Sequence, residues 1–222
     1  MCKIIYRRRK INLLGFALAM FAGLFSINSM AQSIEITPSY GVHFGTRLNY
    51  GPNYLKIKGS DQYGITIGVE TIEDVMVEAS YFHQGTELRI REVFYGPSEN
   101  RLSDLAMDWI MVGGTRYIPS GNIRPFIGGS LGMVIFSPSN ENRDIINRSL
   151  SSQTKFAFAF KGGVNIMFSE RIGLNLQGNL FLPVDWGGLY VSGGSGGVSG
   201  GVGVSSTTLI GGFSSGLVFK LK

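Results

Sequence analysis

Cysteine is nearly absent from this chain: one, Cys2, in 222 residues. It sits in an N-terminal segment that carries the marks of an address label, so neither a disulfide framework nor a thiolate metal site is available to the remainder. Histidine is almost as scarce, with only His43 and His83. No cluster of metal-ligand spacing forms around them, and no metal or cofactor is expected. Long apolar helical runs are missing too. The one uncharged apolar stretch, Ile11 to Phe25, is shorter than the roughly 20 residues a transmembrane helix needs.

That stretch follows Lys3, Arg7, Arg8, Arg9 and Lys10 and precedes Ser29-Met30-Ala31. A basic start, a short apolar middle and a small-x-small end form the layout of a secretory signal peptide. Residues 1–31 are expected to be removed between Ala31 and Gln32, leaving a mature domain of residues 32–222. All five basic residues of the label leave with it. The mature chain then balances its charges, and with no basic patch left a nucleic-acid partner is not expected.

What the mature chain has is glycine, 32 in the whole sequence, and apolar residues that alternate with small or polar ones. Ile34, Ile36, Tyr40 and Val42 oppose Glu35, Thr37, Ser39, Gly41 and His43. The same period of two recurs at Tyr63–Val69, Val75–Tyr81, Leu105–Met111, Pro125–Ile135, Phe156–Phe168, Ile172–Leu182 and Leu209–Leu221. Period two marks strands with one apolar and one polar face. In the fourth run the apolar face is read as Leu105, Met107, Trp109 and Met111, with Asp108 and Arg116 opposite. Short links (Thr71–Asp74, Pro119–Asn122, Ser169–Arg171) alternate with long ones, near residues 46–62, 86–104, 137–153 and 183–207. All long links therefore fall at one end of an up-and-down sheet, as in outer-membrane barrels with short periplasmic turns. The expected fold is all-β: an eight-stranded antiparallel up-and-down transmembrane β-barrel.

Arg124-Pro125-Phe126-Ile127-Gly128-Gly129-Ser130-Leu131-Gly132 after a Pro-Ser-Gly-Asn turn, and the closing Gly216-Leu217-Val218-Phe219-Lys220-Leu221 run, resemble the small outer-membrane protein beta-barrel domain proteins. These include the relatives of OmpX, OmpW and the OmpA transmembrane domain of Gram-negative bacteria. The resemblance implies an outer-membrane location, contact with lipid and lipopolysaccharide, and passage through the barrel-insertion machinery. It also brings a narrow solute channel and, third, a lipid A-modifying enzyme as alternatives to a structural or surface role.

The polar parity puts Glu35, Glu70, Glu78, Asp108, Arg116, Lys161 and Lys220 in the lumen. Eight strands leave an interior just wide enough for side chains, where charges must pair or stay hydrated. A plugged, salt-bridged lumen is the expectation. No catalytic site is expected: Ser80 and Glu78 lie near His83 in sequence but on the opposite face. The glycines of 187–203 lack the ending and helix of a phosphate loop and read as a flexible loop. Beyond Gly85, read as flipping the register, Glu87-Leu88-Arg89-Ile90-Arg91 continues the alternation as a projecting ribbon. With Arg47, Lys56 and Lys58 it offers a surface for a protein partner or lipopolysaccharide phosphate.

Overall fold

The computed structural model describes residues 33–50, 53–91, 98–118, 121–143, 150–194, 197–205 and 209–221, with no side chains for 48–50 and 185–205. The signal-peptide reading and its cleavage site lie outside the described residues. The described residues form eleven strands: β1 (Ile34–His43), β2 (Thr46–Tyr50), β3 (Asn53–Ile57), β4 (Ser60–Ile72), β5 (Val75–Arg91), β6 (Asn100–Tyr117), β7 (Ile123–Ser139), β8 (Gln153–Met167), β9 (Ile172–Gly194), β10 (Gly197–Ser205) and β11 (Ile210–Leu221). Eight of them, β1, β4 to β9 and β11, pair antiparallel with their neighbours, and β11 closes on β1. The other three belong to the long links.

One row of paired residues can be followed around the wall. It runs Ile34, Val69, Val77, Gly114, Gly129, Phe160, Leu180 and Gly211. It returns to β1 at Phe44, whose N–H donates to the Gly211 carbonyl at 2.7 Å. The ring thus closes ten residues above its start, Phe44 against Ile34. With a rise of 3.3 Å per residue and strands about 4.8 Å apart, that shear tilts the strands by about 40°. Closure leaves no edge within the wall, which is what a bilayer demands of a sheet.

At the short-turn end, Asp74 adopts a left-handed φ of 62° beside the Ile72–Val75 pair and Gly121 a φ of 61°. Both are residue types suited to tight hairpins. The outward parity carries exposed Ile65, Ile67, Val77, Ile110, Val112, Ile127, Leu131, Phe158, Phe160, Leu176, Phe213 and Leu217. An apolar belt on the outside of a closed barrel is the surface a hydrocarbon solvent selects.

Three expectations are corrected. In β6 the inward residues are Leu105, Met107, Trp109 and Met111, all buried, while Ile110 and Val112 are exposed. Both parities are apolar there, so alternation alone could not say which faced lipid. Asp108 and Arg116 therefore lie on the outer face. Second, Gly85 does not flip the register: Phe82, Gln84 and Leu88 share one face, and Leu88 packs on the lumen core with Ile57. Above the membrane the wall keeps its parity but reverses its polarity, because its outside now meets water. Third, the glycine-rich segment is paired: β10 forms an antiparallel ladder with the end of β9.

Candidate functional site: the lumen and the outer ribbon

The turn-end half of the lumen is a hydrogen-bonded network. The Arg124 guanidinium donates to Glu35 Oε1 at 2.9 Å, and the Tyr117 hydroxyl donates to Glu35 Oε2 at 2.9 Å. Asn165 donates to the Tyr117 oxygen at 3.1 Å and accepts from Asn175 at 2.7 Å. The Arg124 guanidinium also lies over the Tyr117 ring, 4.2 Å from its centroid. One layer up, Glu78 accepts from Thr115 at 2.8 Å and pairs with Lys161. Thr66 meets Ser80, and Asn179 meets Ser214, each at 2.9 Å. Glu70 and Lys220 approach to 4.0 Å at the lower rim. Buried charges thus have partners of opposite sign together with neutral donors, the condition under which they are tolerated.

The other half of the lumen is apolar. Phe82, Leu105, Met107, Trp109, Met111, Val134, Ala157, Ala159, Phe181 and Ile210 form one buried cluster. The Trp109 and Phe181 rings lie 4.6 Å apart, and the Trp109 indole N–H donates to Gln84 Oε1 at 3.1 Å. Two cavities within the lumen measure about 10 Å³ and about 20 Å³. Each has room for a water molecule or so.

Of the seven charges expected inside, the structure brings Glu35, Glu70, Glu78, Lys161 and Lys220 into the lumen and puts Asp108 and Arg116 outside. Arg124 and Tyr117 complete the network and were not read as lumen residues in the sequence. The signal was present: Arg124 shares parity with Phe126 and Gly128, and Tyr117 shares it with the buried Thr115.

Arg47, Lys56, Lys58, Arg89 and Arg91 come together on the outer face of the ribbon formed by β2, β3, β5 and β6. The registers Arg47↔Lys56, Lys56↔Arg89 and Tyr54↔Arg91 align them. Two carboxylates thread between the cations. Glu87 bonds Arg89 at 2.7 Å and lies 3.5 Å from Lys58. Glu99 accepts from the Tyr54 hydroxyl at 2.9 Å and pairs with Lys56 at 3.3 Å and Arg89 at 3.5 Å. Arg47 stacks over the Tyr54 ring at 4.2 Å, and Arg91 approaches it at 5.9 Å. The Arg89 hydrogen bond holds the Glu87 carboxyl below its ordinary range. Burial pushes Glu99 upward, but bonds from Tyr54 and Lys56 leave it lowered overall.

The two histidines separate. His43 faces inward, with Nε2 2.8 Å from the Ser60 hydroxyl. His83 faces outward, with Nδ1 2.7 Å from Asp108 Oδ1, and its ring packs 4.9 Å from that of Tyr63. Among the described residues no group of acidic, histidine or cysteine side chains could hold a metal ion.

No family profile matches the chain, and no curated protein does. Among solved structures it is similar to the outer membrane protein OprG from Pseudomonas aeruginosa, at 14% identity and a TM-score of 0.58 over 86% of this chain and 96% of that one. It is likewise similar to Neisserial surface protein A, at 14% identity and a TM-score of 0.51 over 86% and 97%. At such identity the likeness establishes the fold, that of the small outer-membrane β-barrels.

Proposed function

We propose that this chain is a non-enzymatic integral outer-membrane protein whose lumen is closed by its own side chains and whose role is structural or surface-interacting. The apolar layer around Trp109 carries the reading. A solute path would have to cross packed Met107, Trp109, Met111 and Phe181, none more than 1% exposed, between cavities that hold little more than single waters. The charge network beneath it supplies rigidity rather than a conduit. Surface interaction through the ribbon follows from its five aligned cations set against two carboxylates. An excess of positive charge projecting from the membrane favours an acidic partner and speeds encounter with it.

Planar-bilayer recording of the refolded mature protein tests the closed lumen, with folding verified by heat-modifiable gel migration. Silence is expected, and reproducible salt-dependent steps from folded protein would overturn it. For the ribbon, Arg89→Glu with Arg91→Glu should weaken adhesion of protein-bearing cells to surfaces coated with acidic proteins. Unchanged adhesion would remove these residues from the interaction.

A further inference from the structure

The outer wall of β4, β5 and β6 changes character step by step with height. Ile65, Ile67, Val77, Ile110 and Val112 are exposed in the belt. Tyr81 pairs with Ile65 and Ile110 in the uppermost row of that belt, and in the next outward row Tyr63, His83 and Asp108 are paired across β4, β5 and β6. Next comes an open groove of about 370 Å³, floored by Gly85 and Ala106 and bordered by Lys58, Glu87 and Asp104. An apolar belt whose upper row holds Tyr81, followed by a row that sets Tyr63 beside the first charged pair, matches the polarity of a single lipid from chain to head, with tyrosine at the interface.

Two details give the groove a chemistry. Asp108 Oδ1 takes both the Tyr81 hydroxyl and His83 Nδ1 at 2.7 Å, while Oδ2 has no partner among the described residues. At Gly85 an added Cβ would meet only His83 Nε2, at 3.9 Å. The second ring nitrogen therefore faces the groove floor, and the backbone there does not require glycine. Its missing side chain leaves the groove open, although glycine weakens a strand.

Resting on the membrane-barrel reading above, we propose that this groove binds the headgroup of one outer-leaflet lipid carrying a phosphate beside a primary amine. Lys58 Nζ donates to the phosphate, His83 donates to it from Nε2 as the imidazolium, because Nδ1 is already taken by Asp108 Oδ1, and the ammonium donates to Asp108 Oδ2. The acyl chains run down past Tyr81 and Ile110. A purely anionic head would set its charge against the Asp108 carboxylate, whereas a zwitterion with N–H donors satisfies both signs.

The test uses the folded mature protein in mixed micelles holding equal phosphatidylethanolamine and phosphatidylcholine of identical chains, with retained lipid read by native mass spectrometry. These lipids differ in whether the amine can donate. Wild type should retain the ethanolamine lipid about tenfold over the choline lipid, the scale of one charge-assisted hydrogen bond. Gly85→Leu, which fills the groove, and Asp108→Asn should each bring the ratio near one while heat-modifiable migration persists. Equal retention by wild type, or a preference that survives both substitutions, overturns the proposal. Displacement of the lipid by soluble phosphoethanolamine at comparable concentration overturns the lipid source. Loss of heat-modifiable migration by wild type would instead count against the barrel reading itself.

Discussion

Glu35 on β1 and Arg124 on β7 meet at 2.9 Å across the turn end of the lumen, although 89 positions separate them in the chain. Glu35 is 4% exposed and also accepts from Tyr117. Removing the cation leaves that carboxylate buried against a phenol and two asparagines. Arg124→Ala should therefore cost about 3–5 kcal/mol, the cost of an uncompensated buried charge. Glu35→Gln in the Arg124→Ala background should recover part of the loss, because the stranded charge disappears. Urea unfolding in detergent, followed by gel migration, reads both. No recovery in the double variant would mean that the loss came from Arg124 packing on Tyr117.

The apolar layer makes a separate prediction, since it governs both stability and passage. Trp109→Ala removes a fully buried indole stacked on Phe181 and should cost about 3–5 kcal/mol. The single change leaves Met107, Met111 and Phe181 across the lumen, so the barrel should stay electrically silent. Replacing Met107, Trp109 and Phe181 together by alanine should produce measurable conductance steps in planar bilayers. Silence from the folded triple variant would transfer the barrier to the polar network below.

The ribbon should respond to acid before the barrel does. Glu87 is held below its ordinary value of 4.5, chiefly by the Arg89 hydrogen bond, and Glu99 is also held below it. A carboxyl lowered in the folded state stabilises that state above its unfolded pKa. The contribution fades as pH falls from about 4.5 through the lower folded value. The protection factors of the Leu88 and Ile90 amides, which pair with Ile57 and Leu55, should fall over that interval while the wall beside Val77 keeps its protection. High salt at neutral pH should reproduce part of the effect, because these charges are accessible to counter-ions. Protection factors that stay constant across the same interval would show that strand pairing alone holds the ribbon.

Much of this was legible in the sequence where one strand face was apolar and the other polar. β1, β4, β7 and β11 each oriented correctly from period two, and the short links located the turns. β6 was not legible, because Trp109, Ile110, Met111 and Val112 are apolar on both parities. That inversion moved Asp108 from the lumen to the outer wall, beside His83. The ribbon residues were found individually, but Tyr54 and Glu99, which join them, were not. Their contacts depend on the β3–β5 register, and nothing local encodes it. The glycine-rich segment read as a loop because glycine lacks the side chains by which a strand announces its period.

Glycine also gives a paired prediction, since two glycines of the wall occupy opposite environments. Gly41 faces inward on β1 opposite Ser214 of β11, where an added Cβ would run into the Phe213 carbonyl oxygen and the Ser214 backbone. Of the seam's glycines Gly41 leaves the least room, and the Phe213 oxygen and Ser214 Cα that block it are backbone rather than a movable side-chain end. Gly129 on β7 faces outward, and a Cβ would meet only the Phe160 ring at 3.8 Å, an ordinary contact. Neither residue has a positive φ, so the backbone permits alanine at both and space alone decides. Gly41→Ala should destabilise by about 1–3 kcal/mol, as overpacking does, and should slow the appearance of the fast-migrating folded band. Gly129→Ala should be neutral or stabilising by up to about 1 kcal/mol, because it removes glycine's freedom from the unfolded chain. Urea midpoints for the two variants measured side by side check the contrast. Equal destabilisation by both would mean that glycine serves the twist of this barrel rather than the clearance between β1 and β11.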